Sequence, residues 1–153
     1  MDHEFSTNQL AENQIGWDWF SLQLDNNFEV MLFQLRTKNG SLDPNSAGTV
    51  ISPEGEKIPL DNSLFQLRSV RKWISSQSGI EYPVEWQIFI PEYQAFMQVT
   101  PLLENQELDT RLSTGIIYWE GAVEVKGSWQ GKPLSGLGYL ELTGYQDGGK
   151  PNI

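Results

Sequence analysis

Apolar and polar residues alternate along most of the 153-residue chain, with the two-residue period of a β-strand. In the stretch GWDWFSLQL, this alternation divides the side chains between two faces of a predicted strand. One face carries Phe20, Leu22 and Leu24, and the other carries Trp17, Trp19, Ser21 and Gln23. Residues 28–36 then predict the returning strand of a hairpin, which turns at residues 25–27.

The same pattern predicts strands for most of the remaining chain. A short hairpin turns at residues 53–55, further strands cover residues 64–73, 84–90 and 94–100, and a long hairpin turns at SWQG. Residues 101–115 have the weakest strand character and predict a loop with at most one helical turn. Eight or so short antiparallel strands in a chain of this length predict one all-β domain, residues 1–153, folded as a sandwich or barrel.

Composition excludes several classes of function. The formal net charge of -10 argues against nucleic acid or an anionic membrane surface as a partner, and scattered acids favour a solubilising surface. The chain has no cysteine and one histidine, His3, so we expect no thiolate or histidine-rich metal site and no cofactor. No apolar run approaches the roughly 18 residues of a membrane span, and no signal peptide is recognisable. We therefore expect a soluble chain, with the compartment left open.

Two kinds of residue are candidates for a site. The aromatic pairs Trp17/Trp19 and Tyr118/Trp119 would either line an apolar cavity or pack in an ordinary core. The acids within strands would either point to solvent or face inward, and an inward acid would be desolvated, with a raised pKa. These acids are Asp18, Glu120 and Glu141, and Arg36 is a natural counter-charge.

Several long segments resemble one family in order. DHEFST, GWDWFSLQLDNNFEVMLFQLR, YPVEWQIFIP, NQELDT and YWEGAVEVKG with GLGYLELTGY resemble the lipocalin-like proteins grouped with hydroxyneurosporene synthase, or carotenoid 1,2-hydratase. The resemblance runs from His3 to Tyr145. It implies two lipocalin-like β-barrels in tandem with a ligand site between or within them, and this chain resembles the second barrel. Members are often exported, and many are known only as secreted hydrolases.

In the family pattern, DHEF lies at the end of a strand that follows a whole first barrel. The resemblance therefore implies that Met1 stands at an internal position and that the barrel lacks its first strand or strands. We expect an open sheet edge, which a partner chain or a second copy of this chain could cover.

The resemblance also implies a chemistry. The chemistry proposed for carotenoid hydratases is protonation of an alkene and capture of the carbocation by water, with a His in an H-x-W motif and a Tyr and an Asp on the next hairpin. His3, beside Asp2, matches the His, and Phe5 takes the Trp position. The Tyr and Asp would fall near Phe33 and Gln34, which carry neither group. An acid among Asp2, Asp18, Glu120 and Glu141 would have to replace them. Related cyclases act by shaping a polyene in the cavity.

Three functions follow from these observations. The first is a domain that binds an apolar isoprenoid-like or polyene-like molecule, with hydratase or cyclase chemistry on a carbon–carbon double bond as its catalytic form. The second is a non-catalytic carrier or structural module. Hydrolysis ranks third, because the chain has no GxSxG motif and no thiol.

Overall fold

The structure, a computed structural model, describes residues 10–113 and 115–146, and these form ten β-strands. Asp2, His3 and Phe5 lie outside the described residues. The strands are β1 (Gln14–Leu24), β2 (Glu29–Thr37), β3 (Ala47–Ile51), β4 (Lys57–Asp61), β5 (Gln66–Ile74), β6 (Glu81–Ile90), β7 (Ala95–Pro101), β8 (Glu107–Asp109), β9 (Ile117–Trp129) and β10 (Lys132–Thr143). One turn of 3-10 helix, Pro91–Tyr93, joins β6 to β7. No helix among the described residues has the length and apolar character to cross a membrane.

All ten strands belong to one antiparallel sheet, which curls into an open, lipocalin-like half-barrel. The strand order is β4-β3-β2-β1-β10-β9-β7-β6-β5, and β8 pairs with β9. The predicted all-β fold is therefore confirmed, with β4 and β5 as the edge strands of the described sheet. β1 lies in the middle of the sheet, paired with β2 on one side and β10 on the other.

The inner face of the sheet holds the core, as the alternation in β1 predicts. Phe20 and Leu22 are fully buried, and their direct neighbours on β2 and β10 are also buried or small. Trp86 on β6 packs its ring edge-on against Phe20, with ring centroids 5.5 Å apart. The core thus connects strands from both halves of the sheet.

The prediction of a loop at residues 101–115 is wrong in one place, because Glu107–Asp109 forms β8 along the first residues of β9. A strand of three residues is too short to leave a periodic pattern in the sequence. It exists because β9 continues beyond the end of β7 and offers unpaired backbone groups there.

The two ends of the half-barrel differ in character. At one end, Phe28, Tyr93 and Trp129 pack together, with centroid distances of 4.8 Å between Phe28 and Trp129 and 4.7 Å between Tyr93 and Trp129. At the other end, β1, β6 and β9 begin and β2, β5 and β10 finish. Polar side chains collect on the inner face at this second end, which we call the polar end.

Candidate functional site

Asp18 is a carboxylate on the inner face of the sheet, and its side chain is fully buried. On β1 it shares the face of Phe20 and Leu22, and directly across the neighbouring strands lie Gln34 and Leu142. The outward residues on either side of it are Trp17 and Trp19, so the alternation of WDWF itself directs the acid inward.

Three side chains surround the Asp18 carboxylate. Gln34 Nε2 donates a hydrogen bond to Asp18 Oδ2 at 2.9 Å, and the Tyr145 hydroxyl donates to Oδ1 at 2.6 Å. Arg36 Nε lies 3.3 Å from Asp18 Oδ2 and forms an ion pair with it. The Arg36 side chain is 16% exposed. We call Asp18, Gln34, Arg36 and Tyr145 the Asp18 cluster.

Arg36 also contacts the rest of the cluster through its guanidinium group. The guanidinium carbon lies 3.9 Å from the centroid of the Tyr145 ring, within the range of a cation–π contact. The same group donates a hydrogen bond to the backbone carbonyl of Thr143. Arg36 therefore holds the end of β10 and the following residues against β1 and β2.

The backbone around the cluster depends on glycine at two facing positions. Gly144 has φ of +72°, and a Cβ there would overlap the carbonyl oxygen of Ile15. Gly16 lies opposite Arg36 at an irregularity in the β1–β2 register. The close approach of these two segments lets the chain after β10 turn and bring Tyr145 back to Asp18.

Burial sets the electrostatics of the cluster. It raises the pKa of Asp18 above the usual 3.8, and the charge of Arg36 and the hydrogen bonds from Tyr145 and Gln34 partly oppose that rise. Burial and then the charge of Asp18 hold the pKa of Tyr145 well above its usual value. Tyr145 therefore stays neutral and acts as a donor, while Asp18 exchanges its proton at a higher pH than a surface aspartate.

A second acid and a second tyrosine lie on the inner face of the polar end. Glu107 on β8 is directly opposite Trp119 on β9, and its carboxylate accepts hydrogen bonds from the hydroxyls of Ser75 at 2.7 Å and Ser78 at 2.5 Å. Tyr82 is fully buried, and its ring centroid lies 5.9 Å from that of Tyr145. Burial and then the charge of Glu107 raise the pKa of Tyr82.

Among the described residues, the structure does not bring the predicted acids Glu120 and Glu141 to Asp18. Glu120 and Glu141 face each other across β9 and β10 and lie half-buried on the outer face of the sheet. The Trp17 indole Nε1 donates a hydrogen bond to Glu141 Oε1 at 3.1 Å, also on that face. The roles expected for these two acids would need a site outside the barrel.

The predicted aromatic residues divide between the two faces. Trp119 is fully buried on the inner face, and its indole donates to the Glu104 carbonyl at 2.8 Å. Half-buried positions on the outer face are occupied by Trp17, Trp19, Phe33 and Tyr118. Of these, Trp17 and Phe33 pack at 6.5 Å between centroids, so they cover the sheet from outside.

Three residues of the polar end were not predicted from the sequence, namely Tyr82, Glu107 and Tyr145. Tyr82 alternates with Val84 and Trp86 on β6, so a longer predicted strand would have placed it on the inner face. Glu107 could not be placed, because β8 was not predicted. Among the described residues, no group of three or more His, Cys, Asp or Glu side chains has the geometry of a metal site.

A lipocalin-like half-barrel with an acid buried on its inner face defines the structural class of this protein. The profile of the AttH-like family matches residues 1–145, and the chain belongs to the AttH-like family. The narrower assignment to the hydroxyneurosporene synthase group stays a prediction.

Two solved structures are similar to the chain. One is the crystal structure of a protein from Nitrosomonas europaea assigned to AttH, with 36% identity and a TM-score of 0.78 over 92% of this chain and 42% of that one. The other is kievitone hydratase from Nectria haematococca, with 19% identity and a TM-score of 0.70 over 87% of this chain and 40% of that one. The second likeness shows the fold alone. This chain thus spans about two fifths of either protein, and the comparison with curated proteins gave no significant match.

Proposed function

We propose that this domain binds an apolar, isoprenoid-like or polyene-like molecule at the polar end and adds water across one of its carbon–carbon double bonds, with Asp18 as the acid. The observation that carries the proposal is the position of Asp18, a fully buried carboxyl on the inner face of a lipocalin-like sheet with a raised pKa. An acid that keeps its proton to a higher pH than usual is suited to donating it to a weakly basic alkene. The solved structure of a hydratase with the same fold is consistent with this chemistry.

In the proposed reaction, Asp18 supplies a proton to the alkene and recovers one from the added water. Protonated Asp18 forms a C–H bond at one alkene carbon and leaves a carbocation at the other, and the carboxylate that remains is held by Arg36, Gln34 and Tyr145. The oxygen of a water molecule bonds to the cation, and the surplus proton of that water returns to Asp18. The inner aromatic rings of Trp119 and Tyr82 are candidates for stabilising the cation.

One observation favours a carrier or structural module instead. The Asp18 carboxylate already has an ion-pair partner and two hydrogen-bond donors, as expected of an acid that fixes the ends of β1, β2 and β10 together. In that case an apolar ligand would bind unchanged. His3 and Asp2 keep their expected roles as predictions, and hydrolysis remains the third hypothesis.

The test is incubation of the chain with acyclic isoprenoids of graded length, such as geraniol, farnesene and squalene, in water labelled with heavy oxygen. Native mass spectrometry would measure binding, and mass spectrometry of the extracted lipid would measure uptake of labelled water. Asp18→Asn removes the acid, and Glu29→Gln, at an exposed position of β2, is the matched control.

Each outcome separates the alternatives. A lipid that gains one labelled water with the wild type and Glu29→Gln, but not with folded Asp18→Asn, supports hydration by Asp18. A lipid that is bound and recovered unchanged contradicts the hydratase and supports the carrier. If native spectra show no lipid bound at any length, the ligand-binding proposal is wrong.

A further inference from the structure

The wall of the half-barrel has a seam at the polar end, where the backbone pairing between neighbouring strands stops. β7 pairs with β6 only over residues 95–99, and the last pair is Val99 with Trp86. β8 takes the place of β7 farther along β9, but among the described residues it pairs with β9 alone. Residues 81–85 of β6 therefore face β8 across a seam that no ladder of backbone hydrogen bonds closes.

Two prolines favour the end of the pairing at this place. Pro101 is the last residue of β7, and Pro83 lies in the half of β6 that faces β8. Proline has no backbone N–H group, so neither residue can donate to a ladder. The Pro83 carbonyl accepts a hydrogen bond from the indole of Trp86, a side chain of its own strand. The seam therefore has a cause in the sequence.

Residues 102–109, which we call the strap, fill the seam and are attached to β9 on one side. In addition to the β8 pairing, the Glu120 amide donates to the Gln106 carbonyl at 3.0 Å. The Gln106 side chain pairs with both backbone groups of Ala122, accepting from the N–H at 2.8 Å and donating to the carbonyl at 3.1 Å. The amides of Glu120 and Ala122 therefore report whether the strap is in place.

On its other side, the strap is held to the β5–β6 hairpin by side chains. Arg71 on β5 donates to both carboxylate oxygens of Glu104, at 2.8 and 3.0 Å. Glu107 accepts the hydroxyl groups of Ser75 and Ser78. The side chains of Arg71 and Glu104 are 37% and 50% exposed, and exposed ion pairs contribute little to stability. This attachment is therefore weaker than the backbone ladders elsewhere in the sheet.

The strap also contributes no buried side chain to the core. Every residue in it is exposed or half-buried, and Leu102, Leu103 and Leu108 are 51%, 67% and 48% exposed. A segment with few buried apolar contacts opens at a lower free energy than the packed sheet around it. The strap is therefore the part of the polar end that we expect to open first.

Behind the strap lie inner-face side chains that lead to the Asp18 cluster. Trp119 is fully buried, and its indole donates to a carbonyl of the strap at 2.8 Å. The Glu107 carboxylate lies within hydrogen-bond reach of the Tyr82 hydroxyl. The Tyr82 ring is 5.9 Å from the ring of Tyr145, which donates to Asp18. Displacement of the strap would therefore uncover the inner face two side chains away from the proposed acid.

We propose that the strap opens as a unit at the seam, and that this opening is the route by which an apolar ligand reaches the inner face at the polar end. Glu104 and Glu107 leave their partners on the β5–β6 hairpin, while β9 and β10 stay paired. The inference rests on the proposed binding of an apolar molecule and adds how that molecule enters. Since the ligand must wait for the opening, the open fraction sets its association rate.

Amide hydrogen exchange followed by NMR tests the opening. We expect the amides of Glu120 and Ala122 to exchange at least about tenfold faster than those of the β9–β10 ladder. Glu104→Gln weakens one link of the strap, so these two amides should exchange about two- to fivefold faster than in the wild type, with the ladder unchanged. The matched control is Glu81→Gln, which breaks an ion pair with Lys72 inside the β5–β6 hairpin and should change neither.

Stopped-flow binding of farnesol, an acyclic isoprenoid alcohol, tests the entry route. Tryptophan fluorescence would follow the binding, since Trp119 lies behind the strap. Glu104→Gln should raise the association and dissociation rate constants by the same factor of about two to five, and leave the dissociation constant unchanged. Glu81→Gln should keep the wild-type rate constants.

Failure of this inference differs from failure of the proposed function. The opening is wrong if Glu120 and Ala122 exchange as slowly as the β9–β10 ladder, or if Glu104→Gln accelerates all amides alike. Equal association rates of farnesol with the wild type and Glu104→Gln would contradict the entry route, while apolar binding stands. If farnesol does not bind, the proposed function falls and the entry route falls with it, and hydrogen exchange alone decides whether the strap opens.

Discussion

The sharpest prediction concerns Arg36→Met, which removes the counter-charge of a fully buried carboxylate. Methionine keeps an unbranched apolar side chain but loses the ion pair with Asp18, the hydrogen bond to the Thr143 carbonyl and the cation–π contact with Tyr145. Removing one partner of a buried ion pair costs about 3–5 kcal/mol of unfolding free energy. We expect a loss in this range near pH 8.

The unfolding free energy lost in Arg36→Met should depend on pH, and the titration of Asp18 decides whether the loss grows or shrinks as pH rises. Its folded-state pKa already lies above the usual 3.8, and Arg36 is the main group opposing that rise, so Arg36→Met raises it further. A raised folded pKa means that stability falls as pH increases from about the unfolded pKa through the folded pKa. The variant has the higher folded pKa, so its stability falls further than that of the wild type. The stability deficit of Arg36→Met should therefore be larger at pH 8 than at pH 5.

The assay is urea unfolding followed by tryptophan fluorescence at the two pH values. Arg68→Met, the same change at an exposed position of β5, is the matched control and should leave stability unchanged. Adding Asp18→Asn to Arg36→Met removes the titrating group and should remove the extra dependence on pH. A deficit that is constant with pH, or smaller at pH 8, would refute the reasoning.

Three further changes test the surroundings of the site. Tyr145→Phe removes the donor to Asp18 and keeps the ring, so urea unfolding should show a loss of about 1–2 kcal/mol. Gly144→Ala should lose at least about 1 kcal/mol more than Gly40→Ala, because both have positive φ but only the Cβ at 144 would meet the backbone. Phe20→Leu should lower the thermal midpoint by several degrees, for a loss of about 1–2 kcal/mol on shortening a fully buried ring. Equal stability of the two glycine variants, or a wild-type midpoint for either of the others, would contradict these expectations.

The strands of the half-barrel could be predicted because they are long and alternate clearly. In β1 the positions of Phe20 and Leu22 on one face and Trp17 and Trp19 on the other follow directly from the two-residue period. β8 could not be predicted, since its formation depends on a backbone edge that another strand offers. The long strands can therefore be predicted from the local sequence pattern, whereas β8 forms only because β9 lies beside it.

The candidate site was predictable only in part. The sequence identified Asp18 as an acid within an apolar strand and Arg36 as its natural counter-charge, and the structure brings the two into contact. It could not identify Tyr145, which reaches Asp18 from 127 positions away through a turn at Gly144. The sequence analysis left Asp18, Glu120 and Glu141 as equal candidates, although Asp18 shares the face of Phe20 and Leu22 and the other two acids lie on the outer face.

The measurement that most directly tests the central claim is a carbon-13 NMR titration of the Asp18 carboxyl, with and without saturating farnesol. We predict a pKa above 3.8 in the free protein, a higher value in Arg36→Met, and a change in the titration when the ligand is bound. An Asp18 carboxyl that titrates at or below 3.8 would contradict the buried acid. A titration that farnesol leaves unchanged, under conditions where binding is measured, would contradict the placement of the ligand at the polar end.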